Sequence, residues 1–313
     1  MNRTGSDPII HLAPLQGITN RIFRTAYDAH FSGIDAMMAP FLPAVDPVRL
    51  PLKRLKDLVP EACGTVPQIL ANDAACFLAV AAVLADLGYG EVNWNLGCPH
   101  PAVANKRRGS GLLPFPSLVE RFLDGVCAKA GPRISVKLRL GRRDPGEILE
   151  LMPVLNAFPL KRIILHPRVG VQMYRGGVDL DGFARAAAVC RHELMYNGDI
   201  KDPQTFRSLQ ARFPGVRGWM IGRWVVADPF LPAKIKGMAP AADPTSSIRA
   251  FHGDLYAAYR AALCGPAHVL DKMGEVWSLL GGSFPHCRKA LGRIRHARTF
   301  DAYECAVREI LGS

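Results

Sequence analysis

The chain has 313 residues, of which 49% are hydrophobic and 21% are charged. This ordinary globular composition excludes a disordered polyelectrolyte and a small disulfide scaffold. Thirty-nine lysines and arginines face 27 aspartates and glutamates, so the formal net charge is +12. Such a charge is compatible with a polyanionic partner such as nucleic acid, although many basic proteins bind none.

The sequence predicts a reduced, cytoplasmic and monomeric protein. No apolar run reaches the roughly 18 residues of a membrane span, and Met1–Pro8 lacks the apolar core of a signal peptide. The closest two of the eight cysteines, Cys63 and Cys76, are 13 residues apart. This spacing offers neither a metal knuckle nor a redox C-x-x-C motif, so we expect free thiols and no metal.

Eight short β-favouring segments alternate with helical patterns over the first three quarters of the chain. The predicted strands are Ile9–Pro14, Ala36–Pro40, Val66–Leu70, Glu91–Asn95, Ser135–Leu140, Arg162–His166, Glu193–Asn197 and Gly218–Gly222. Helices are expected at Ala74–Leu87, Ser117–Ala130, Pro145–Phe158 and Pro203–Phe213. The repeat of about thirty residues is that of a βα unit. The pattern therefore predicts an α/β fold, a (β/α)8 TIM barrel over residues 1–237, with an open doubly wound sheet as the alternative.

The remaining residues contain no strand-like segment. Residues 238–247 are rich in Gly, Pro, Ala and Ser and are predicted to form a linker. Helical patterns follow at Ile248–Leu263, Ala267–Leu280 and Pro285–Leu311. We expect residues 248–313 to form a small all-helical domain.

Polar residues stand at the carboxyl ends of the predicted strands, where barrel enzymes build their active sites. They are Gln16 after Pro14 and Leu15, Gln68, Asn95 with Cys98, Lys137 and Arg139, His166 and Arg168, Asn197–Asp199, and Gly222 with Arg223. Any one of them could be a satisfied polar residue of the barrel interior. Their occurrence after seven of the eight predicted strands favours an active site at this end of the barrel.

Three features of this set of residues indicate which ligands the site could bind and which reaction it could catalyse. Gly198 and Gly222 with Arg223 follow the last two strands, the usual place of a barrel phosphate site. A buried Lys137 needs a partner, such as an electron-rich ring atom of a cofactor. Cys98, with an unperturbed thiol pKa of about 8.5, could serve as a general acid, although a nucleophile or a passive thiol remains possible.

These segments resemble the tRNA-dihydrouridine synthase family. The similar segments are Leu12–Asn20, Val66–Ile69, Asn95–Pro99, Val136–Arg139, His166–Arg168, Asn197–Ile200 and Ile221–Arg223, and they cover most of the barrel in order. The resemblance implies an enzyme that binds FMN at the barrel mouth and uses NADPH to reduce a tRNA uridine to dihydrouridine. Two departures are Leu15, where Met is common, and Trp224, where a small residue is frequent.

The resemblance also implies roles for individual residues. Flavin N5 would deliver hydride to C6 of uracil, and Cys98 would protonate C5. Lys137 would meet the N1/O2 edge of the flavin, Asn95 would hold the uridine, and Arg139 and Arg168 would lie near substrate or phosphate. The other cofactor contacts implied are Ala13, Pro14, Leu15, Gln68, His166, Asn197, Gly198, Asp199, Gly222 and Arg223.

The C-terminal part is most similar to the bacterial C-type subfamily, which acts on uridine 16 of the D-loop. The similarity rests on Lys272–Leu280 and on a following helix that carries Arg293 and Arg295. Further tRNA contacts are expected from Asp35, Tyr174, Lys272 and Trp277, and either Trp94 or Tyr174 could receive the flipped base.

The positive charge is concentrated in two regions. Residues 101–143 hold ten Lys and Arg against two acids, and residues 286–298 hold five cations and no acid. Helical spacing would gather the second group into one stripe, which either binds the tRNA backbone or is a solvated face.

Two other functions remain open from the sequence. A flavin-dependent reductase or dehydrogenase of a free pyrimidine would account for the barrel but not for the basic helical region. A non-catalytic RNA-binding protein on a retired barrel would not need Cys98 and Lys137.

Overall fold

The computed structural model describes residues 7–48, 55–58 and 64–312. The segment Met1–Pro8 was expected to lack a signal peptide, and its first six residues, Met1–Ser6, lie outside these ranges. Cys63 also lies outside them. The seven cysteines within them are free thiols.

One curled sheet of ten parallel strands forms the centre of the protein. The strands are β1 (Ile9–Leu12), β2 (Ala36–Met38), β3 (Leu42–Pro43), β4 (Thr65–Val66), β5 (Gln68–Leu70), β6 (Glu91–Leu96), β7 (Arg133–Gly141), β8 (Ile163–Val169), β9 (Leu194–Asn197) and β10 (Gly218–Ile221). The ladder runs from β5 through β6 to β10, then through β1 and β2 to β4. Because only Pro67 separates β4 from β5, the sheet returns to its start, and the predicted (β/α)8 barrel is confirmed.

Helices surround the sheet and form the C-terminal region. They are α1 (Arg21–His30), α2 (Ala74–Asp86), α3 (Pro101–Ala104), α4 (Pro116–Cys127), α5 (Glu147–Asn156), α6 (Leu180–Val189), α7 (Pro203–Arg212), α8 (Arg223–Ala227), α9 (Leu231–Ile235), α10 (Pro244–Ala262), α11 (Gly265–Leu280), α12 (Arg288–His296) and α13 (Phe300–Leu311). Among the described helices, none combines the length and apolarity that a membrane crossing requires.

Three predicted elements differ from the structure. The strand expected at 66–70 is divided at Pro67, which has no N–H to donate to the ladder. The linker expected at 238–247 ends early because Asp243 caps α10 and Pro244 begins it. The helical stretch expected over 285–311 is interrupted between α12 and α13, where Thr299 caps the second helix.

Apolar side chains inside the barrel form a layer below the mouth. Ala13, Met38, Ile164, Met195 and Met220 are buried there. The other strand face packs against the helices, as Trp94 does when it stacks on Phe122 with ring centroids 3.9 Å apart. Trp94 also donates to the carbonyl of Ala71 and is completely buried, so it cannot receive a flipped base.

The C-terminal helices share the barrel's outer core. Phe251 of α10 packs edge-on against Phe23 of α1 and against Phe31, which caps the end of α1, with ring centroids 5.7 and 5.1 Å apart. Tyr259 of α10 donates to Asn20 across the same junction. The apolar core is therefore continuous across the expected domain boundary, and the division at 238–247 stays a prediction.

Replacing Phe251 by Ala should remove this aromatic junction and leave a cavity, so we expect the free energy of unfolding to fall by about 3–5 kcal/mol. Chemical denaturation measures the change. Leu149→Ala, on the exposed side of α5, is the control and should change stability by no more than about 0.5 kcal/mol. An equally small effect at Phe251 would mean that the junction contributes little.

Candidate active site

Two adjoining cavities open at the carboxyl ends of the strands. The first, the arginine cavity, is lined by the predicted residues Ala13, Pro14, Leu15, Lys137, His166, Tyr174, Asn197, Gly198, Asp199, Gly222 and Arg223. The second, the thiol cavity, is lined by Pro14, Gln68, Asn95, Cys98, Lys137, Arg139, His166 and Tyr174 among others. The parallel sheet thus brings together residues that are up to 210 positions apart in the chain.

Lys137 stands in the wall that the two cavities share. It projects inward from β7, and its ammonium has no hydrogen-bond partner among the described residues. Burial and the nearby Arg139 guanidinium lower the pKa of Lys137 to about 7. Near pH 7 the amine is therefore about half protonated, and its charged form has no counter-ion among the described residues, as expected for a group that awaits an electron-rich ligand.

His166 is a neutral ring in the same wall. Burial, followed by the surrounding cations, holds the pKa of His166 well below its usual range. Its Nε2 lies 3.2 Å from Nη1 of Arg168, and a guanidinium can only donate. Nε2 must therefore accept, which leaves Nδ1–H as the donor of the ring.

Asp199 is held between two guanidinium groups. Arg168 Nη2 donates to one carboxylate oxygen at 2.5 Å, and Arg223 Nη2 donates to the other at 3.1 Å. Arg168 is 2% exposed and also holds the carbonyl of Gly176. Nη1 and Nη2 of Arg168 are thus used to hold Asp199 and a loop, its Nε has no partner among the described residues, and Arg223 is the one of the pair that lines the arginine cavity. A contact of Arg168 with substrate or phosphate stays a prediction.

The Cys98 thiol stands in a loop that is fastened from both sides. The N–H groups of Gly97 and Cys98 donate to Asn95 Oδ1 at 3.0 and 2.9 Å, and the N–H of Ser110 donates to the carbonyl of Cys98. Gly109 has φ +53°, and a Cβ there would lie only 2.7 Å from that carbonyl oxygen. Burial raises the pKa of the Cys98 thiol, which keeps it protonated near neutral pH.

Gln68 and Asn95 line the thiol cavity, but most of their hydrogen-bonding capacity is used within the protein. Gln68 Nε2 donates to Asn93 Oδ1 and to the sulfur of Met38, while its Oε1 accepts from Asn95 Nδ2. Both Nε2 hydrogens of Gln68 are engaged, so a contact with a cofactor would fall to its Oε1, and that contact stays a prediction. Asn95 keeps one Nδ2 hydrogen without a partner among the described residues.

Arg139 connects the Cys98 loop to the loop that carries Tyr174. Its Nε donates to the carbonyl of Gly97, and its Nη1 donates to the carbonyls of Val169 and Met173. Met173 has φ +55°, a left-handed conformation that a methionine rarely adopts, and Arg139 holds its carbonyl at 2.7 Å. Arg139 is therefore a brace between the two loops, and only part of its guanidinium reaches the cavity.

Tyr174 covers the junction of the two cavities. It is 49% exposed, and its ring faces the guanidinium groups of Arg139 and Arg223 at 5.3 and 4.9 Å. An exposed aromatic ring held by two cations can stack on a flat ligand or base. Trp224, 37% exposed at the rim of the arginine cavity, is a further lining residue that the sequence marked only as a departure.

Two residues expected to contact tRNA lie elsewhere. Asp35 precedes β2, at the amino end of the strands, where it accepts from Ile10 N–H and pairs with Lys236. Trp277 is 4% exposed in the core of the C-terminal helices, and its Nε1 donates to Tyr303. Neither residue lies at the mouth, because sequence order alone does not show which end of a strand or which side of a helix a residue occupies. A tRNA contact by either one stays a prediction.

The other basic residues predicted to bind tRNA are accessible. Lys272 donates to the carbonyl of Gly17 and pairs with Glu275 beside the β1–α1 loop. Arg293 and Arg295 are exposed on α12, although Arg293 forms an ion pair with Glu309 of α13. The positive charge of the α12 stripe is therefore partly neutralised at Arg293, one of the two residues of this helix that are predicted to contact tRNA.

Polar side chains gathered at the carboxyl ends of a parallel (β/α)8 barrel define a barrel enzyme. The family model described as dihydrouridine synthase (Dus) matches residues 11–258. The chain belongs to the dihydrouridine synthase family, and it is an oxidoreductase.

Similar proteins include two named tRNA-dihydrouridine(16) synthase. The protein from Pseudomonas putida is 28% identical over 237 residues, covering 72% of each chain, and that from Ralstonia nicotianae is 29% identical with the same coverage. A protein of Pseudomonas putida named tRNA-dihydrouridine synthase B is 26% identical, covering 72% of this chain and 67% of its own.

Solved structures share the barrel fold at low sequence identity. Morphinone reductase superposes with a TM-score of 0.53 at 11% identity and covers 77% of this chain and 88% of its own. TcOYE gives a TM-score of 0.52, also at 11% identity, and covers 75% of this chain and 90% of its own.

Replacing Lys137 by Met should stabilise the ligand-free protein, because it removes an ammonium that is enclosed without a counter-ion. We expect a gain of about 1–3 kcal/mol near pH 7, measured by denaturation without added ligand. The wild type should become more stable as pH rises through about 7, since the unfolded chain then retains the proton that the folded chain has lost. Lys137→Met should show less of this rise, and a destabilised variant would contradict the interpretation.

Proposed function

We propose that this chain is an FMN-dependent tRNA-dihydrouridine synthase that uses NADPH to reduce uridine 16 in the D-loop of tRNA. The observation that carries the proposal is the unpartnered ammonium of Lys137 between the two cavities, with the Cys98 thiol in one and Arg223 in the other. Membership of the dihydrouridine synthase family supports the formation of dihydrouridine as the type of reaction. The relatives named for position 16 are slightly more similar than the B-type relative, which favours that uridine.

The residues of the arginine cavity fit a flavin mononucleotide. Lys137 would meet the electron-rich edge of the ring, and the backbone of Ala13–Leu15 would flank it. Arg223 supplies a cation for the phosphate, and Gly198 and Gly222 allow close approach of backbone. Asp199 would act indirectly, because a carboxylate repels a phosphate but orients Arg223.

The thiol cavity is proposed to receive the uracil ring. When bound, the flavin supplies the hydride that reaches C6 of uracil. Cys98 would then donate its thiol proton to C5, a role that its raised pKa suits because the thiol stays protonated until a strong base forms nearby. Asn95 would offer its remaining Nδ2 hydrogen to the base, and Tyr174 would provide a stacking surface.

Cys98→Ala should separate the two halves of the reaction. The variant should bind FMN and accept electrons from NADPH as the wild type does, whereas dihydrouridine formation in tRNA should fall by at least about 100-fold, within the range of lost acid catalysis. Stopped-flow flavin absorbance and dihydrouridine analysis of tRNA measure the two steps. Cys76→Ala, a buried cysteine on α2, is the matched control. Full turnover by Cys98→Ala would exclude the thiol as the acid.

A free pyrimidine is the alternative substrate, and the same assay addresses it. Equal rates with uridine and with tRNA would overturn the proposal in favour of a pyrimidine reductase. Purified protein without flavin absorbance, and with no capacity to bind FMN, would favour an RNA-binding protein instead. The cytoplasmic location and the monomeric state stay predictions.

The exposed cations of α12 are proposed to hold the tRNA backbone. Replacing Arg293 and Arg295 by Ala should weaken tRNA binding and reduce the slope of log affinity against log salt by about one to two, because fewer counter-ions are released. The effect should come mainly from Arg295, since Arg293 is paired with Glu309. Arg212→Ala, which removes an exposed cation that ends α7 and pairs with Asp181, is the control. An unchanged slope would identify the α12 cations as a solvated face.

A further inference from the structure

A chain of hydrogen bonds crosses the barrel interior below Cys98. It begins at the N–H of Cys98, which donates to Asn95 Oδ1 at 2.9 Å. Asn95 Nδ2 donates to Gln68 Oε1 at 2.7 Å, and Gln68 Nε2 donates to Asn93 Oδ1 at 2.8 Å. The chain thus passes through three amide side chains, each less than 8% exposed.

The chain ends on a backbone carbonyl deeper in the barrel. Asn93 Nδ2 donates to Ser135 Oγ at 3.0 Å, and Ser135 Oγ donates to the carbonyl of Val92 at 3.4 Å. Asn93 and Ser135 are completely buried, and neither lines the thiol cavity. Asn93 and Ser135 therefore cannot touch a ligand there and can act only through the groups above them.

The direction of this chain is determined at both ends. A backbone carbonyl can only accept and a backbone N–H can only donate, so Val92 and Cys98 allow one sense of donation between them. If one amide turned over, two NH₂ groups or two carbonyl oxygens would face each other in a buried place, at a cost of about 1–3 kcal/mol per unsatisfied group. Neighbouring amides must therefore keep their orientation together.

This direction decides what Asn95 presents to the mouth. Its oxygen is occupied by the N–H groups of Gly97 and Cys98, and one Nδ2 hydrogen is occupied by Gln68. Its second Nδ2 hydrogen has no partner among the described residues, and Asn95 lines the thiol cavity. At this position Asn95 therefore presents a hydrogen-bond donor to the cavity. A donor can bind a carbonyl oxygen but cannot bind the hydrogens of an amino group.

We infer that Asn93 and Ser135 are positioning residues, which orient the Gln68 and Asn95 amides so that the site holds the Cys98 loop in place and selects uracil, which has a carbonyl at C4, over cytosine, which has an amino group there. This inference rests on the proposed function. It explains why Gln68 of β5, Asn93 of β6 and Ser135 of β7 are polar at inward positions below the mouth, where apolar side chains would otherwise be expected.

The test uses the FMN-loaded full-length protein with tRNA transcripts that carry uridine or cytidine at the target position. Asn93→Leu removes the acceptor for Gln68. We expect flavin reduction by NADPH to stay within about 2-fold of the wild type, whereas reoxidation of the flavin by the uridine transcript slows by about 10-fold to 100-fold. The binding preference for the uridine over the cytidine transcript should fall by about 10-fold, which is the readout that a purely structural role would not change.

Two further variants keep the inference testable if Asn93→Leu folds poorly. Ser135→Ala deletes a single oxygen and should show the same pattern more weakly. Asn93→Asp should restore most of the rate and preference, because a buried carboxylic acid in its neutral form offers one acceptor and one O–H donor in the places of the amide. His11→Leu, a buried polar residue at the other end of the barrel, is the control for general destabilisation.

Each result has one meaning. Slow reoxidation and a weakened preference in Asn93→Leu or Ser135→Ala, with recovery in Asn93→Asp, support the inference. An equal loss in both half-reactions, as in His11→Leu, or an unchanged base preference would overturn it. If the wild type is reduced by NADPH but transfers nothing to the uridine of tRNA, the proposed function has failed independently of the variants.

Discussion

The unbroken ladder of parallel strands is the constraint on which this site depends. Because every strand runs in the same direction, their carboxyl ends meet on one rim, and the residues that follow β1, β6, β9 and β10 become neighbours. Lys137 and His166 project from β7 and β8 into the space that the rim encloses. The Cys98 thiol, the Lys137 ammonium and the Arg223 guanidinium are thus brought together by backbone geometry before any side-chain contact contributes.

Arginines stabilise this rim from within. Arg139 and Arg168 are each 2% exposed, and together they hold backbone carbonyls of two loops and the carboxylate of Asp199. A guanidinium suits this task because its donors form a rigid planar fork and its charge persists when it is buried. The consequence is a positive mouth in which Lys137 has no hydrogen-bond partner or counter-ion among the described residues.

Much of the architecture and of the mouth could be predicted from the sequence. The eight barrel strands follow from the alternation of β-favouring and helical segments, and the polar residues at their ends follow from the barrel rule. Roles within the mouth were harder to predict, because Gln68, Asn95, Arg139 and Arg168 have the residue types of ligand contacts. Their actual partners are backbone carbonyls, amides of other strands and, for Arg168, the carboxylate of Asp199, which no local pattern reveals.

The sequence by itself determined the periodic elements, the βα repeat and the family motifs, since these depend on spacing along the chain. Only the tertiary structure decided that Asp35 lies at the far end of the barrel, that Trp277 is in a core, and that Asn93 and Ser135 lie in line with Cys98. Those facts depend on which strands become neighbours and on how amide donors and acceptors pair between them. Such pairing depends on the three-dimensional positions of the side chains, which cannot be derived from the order of the residues alone.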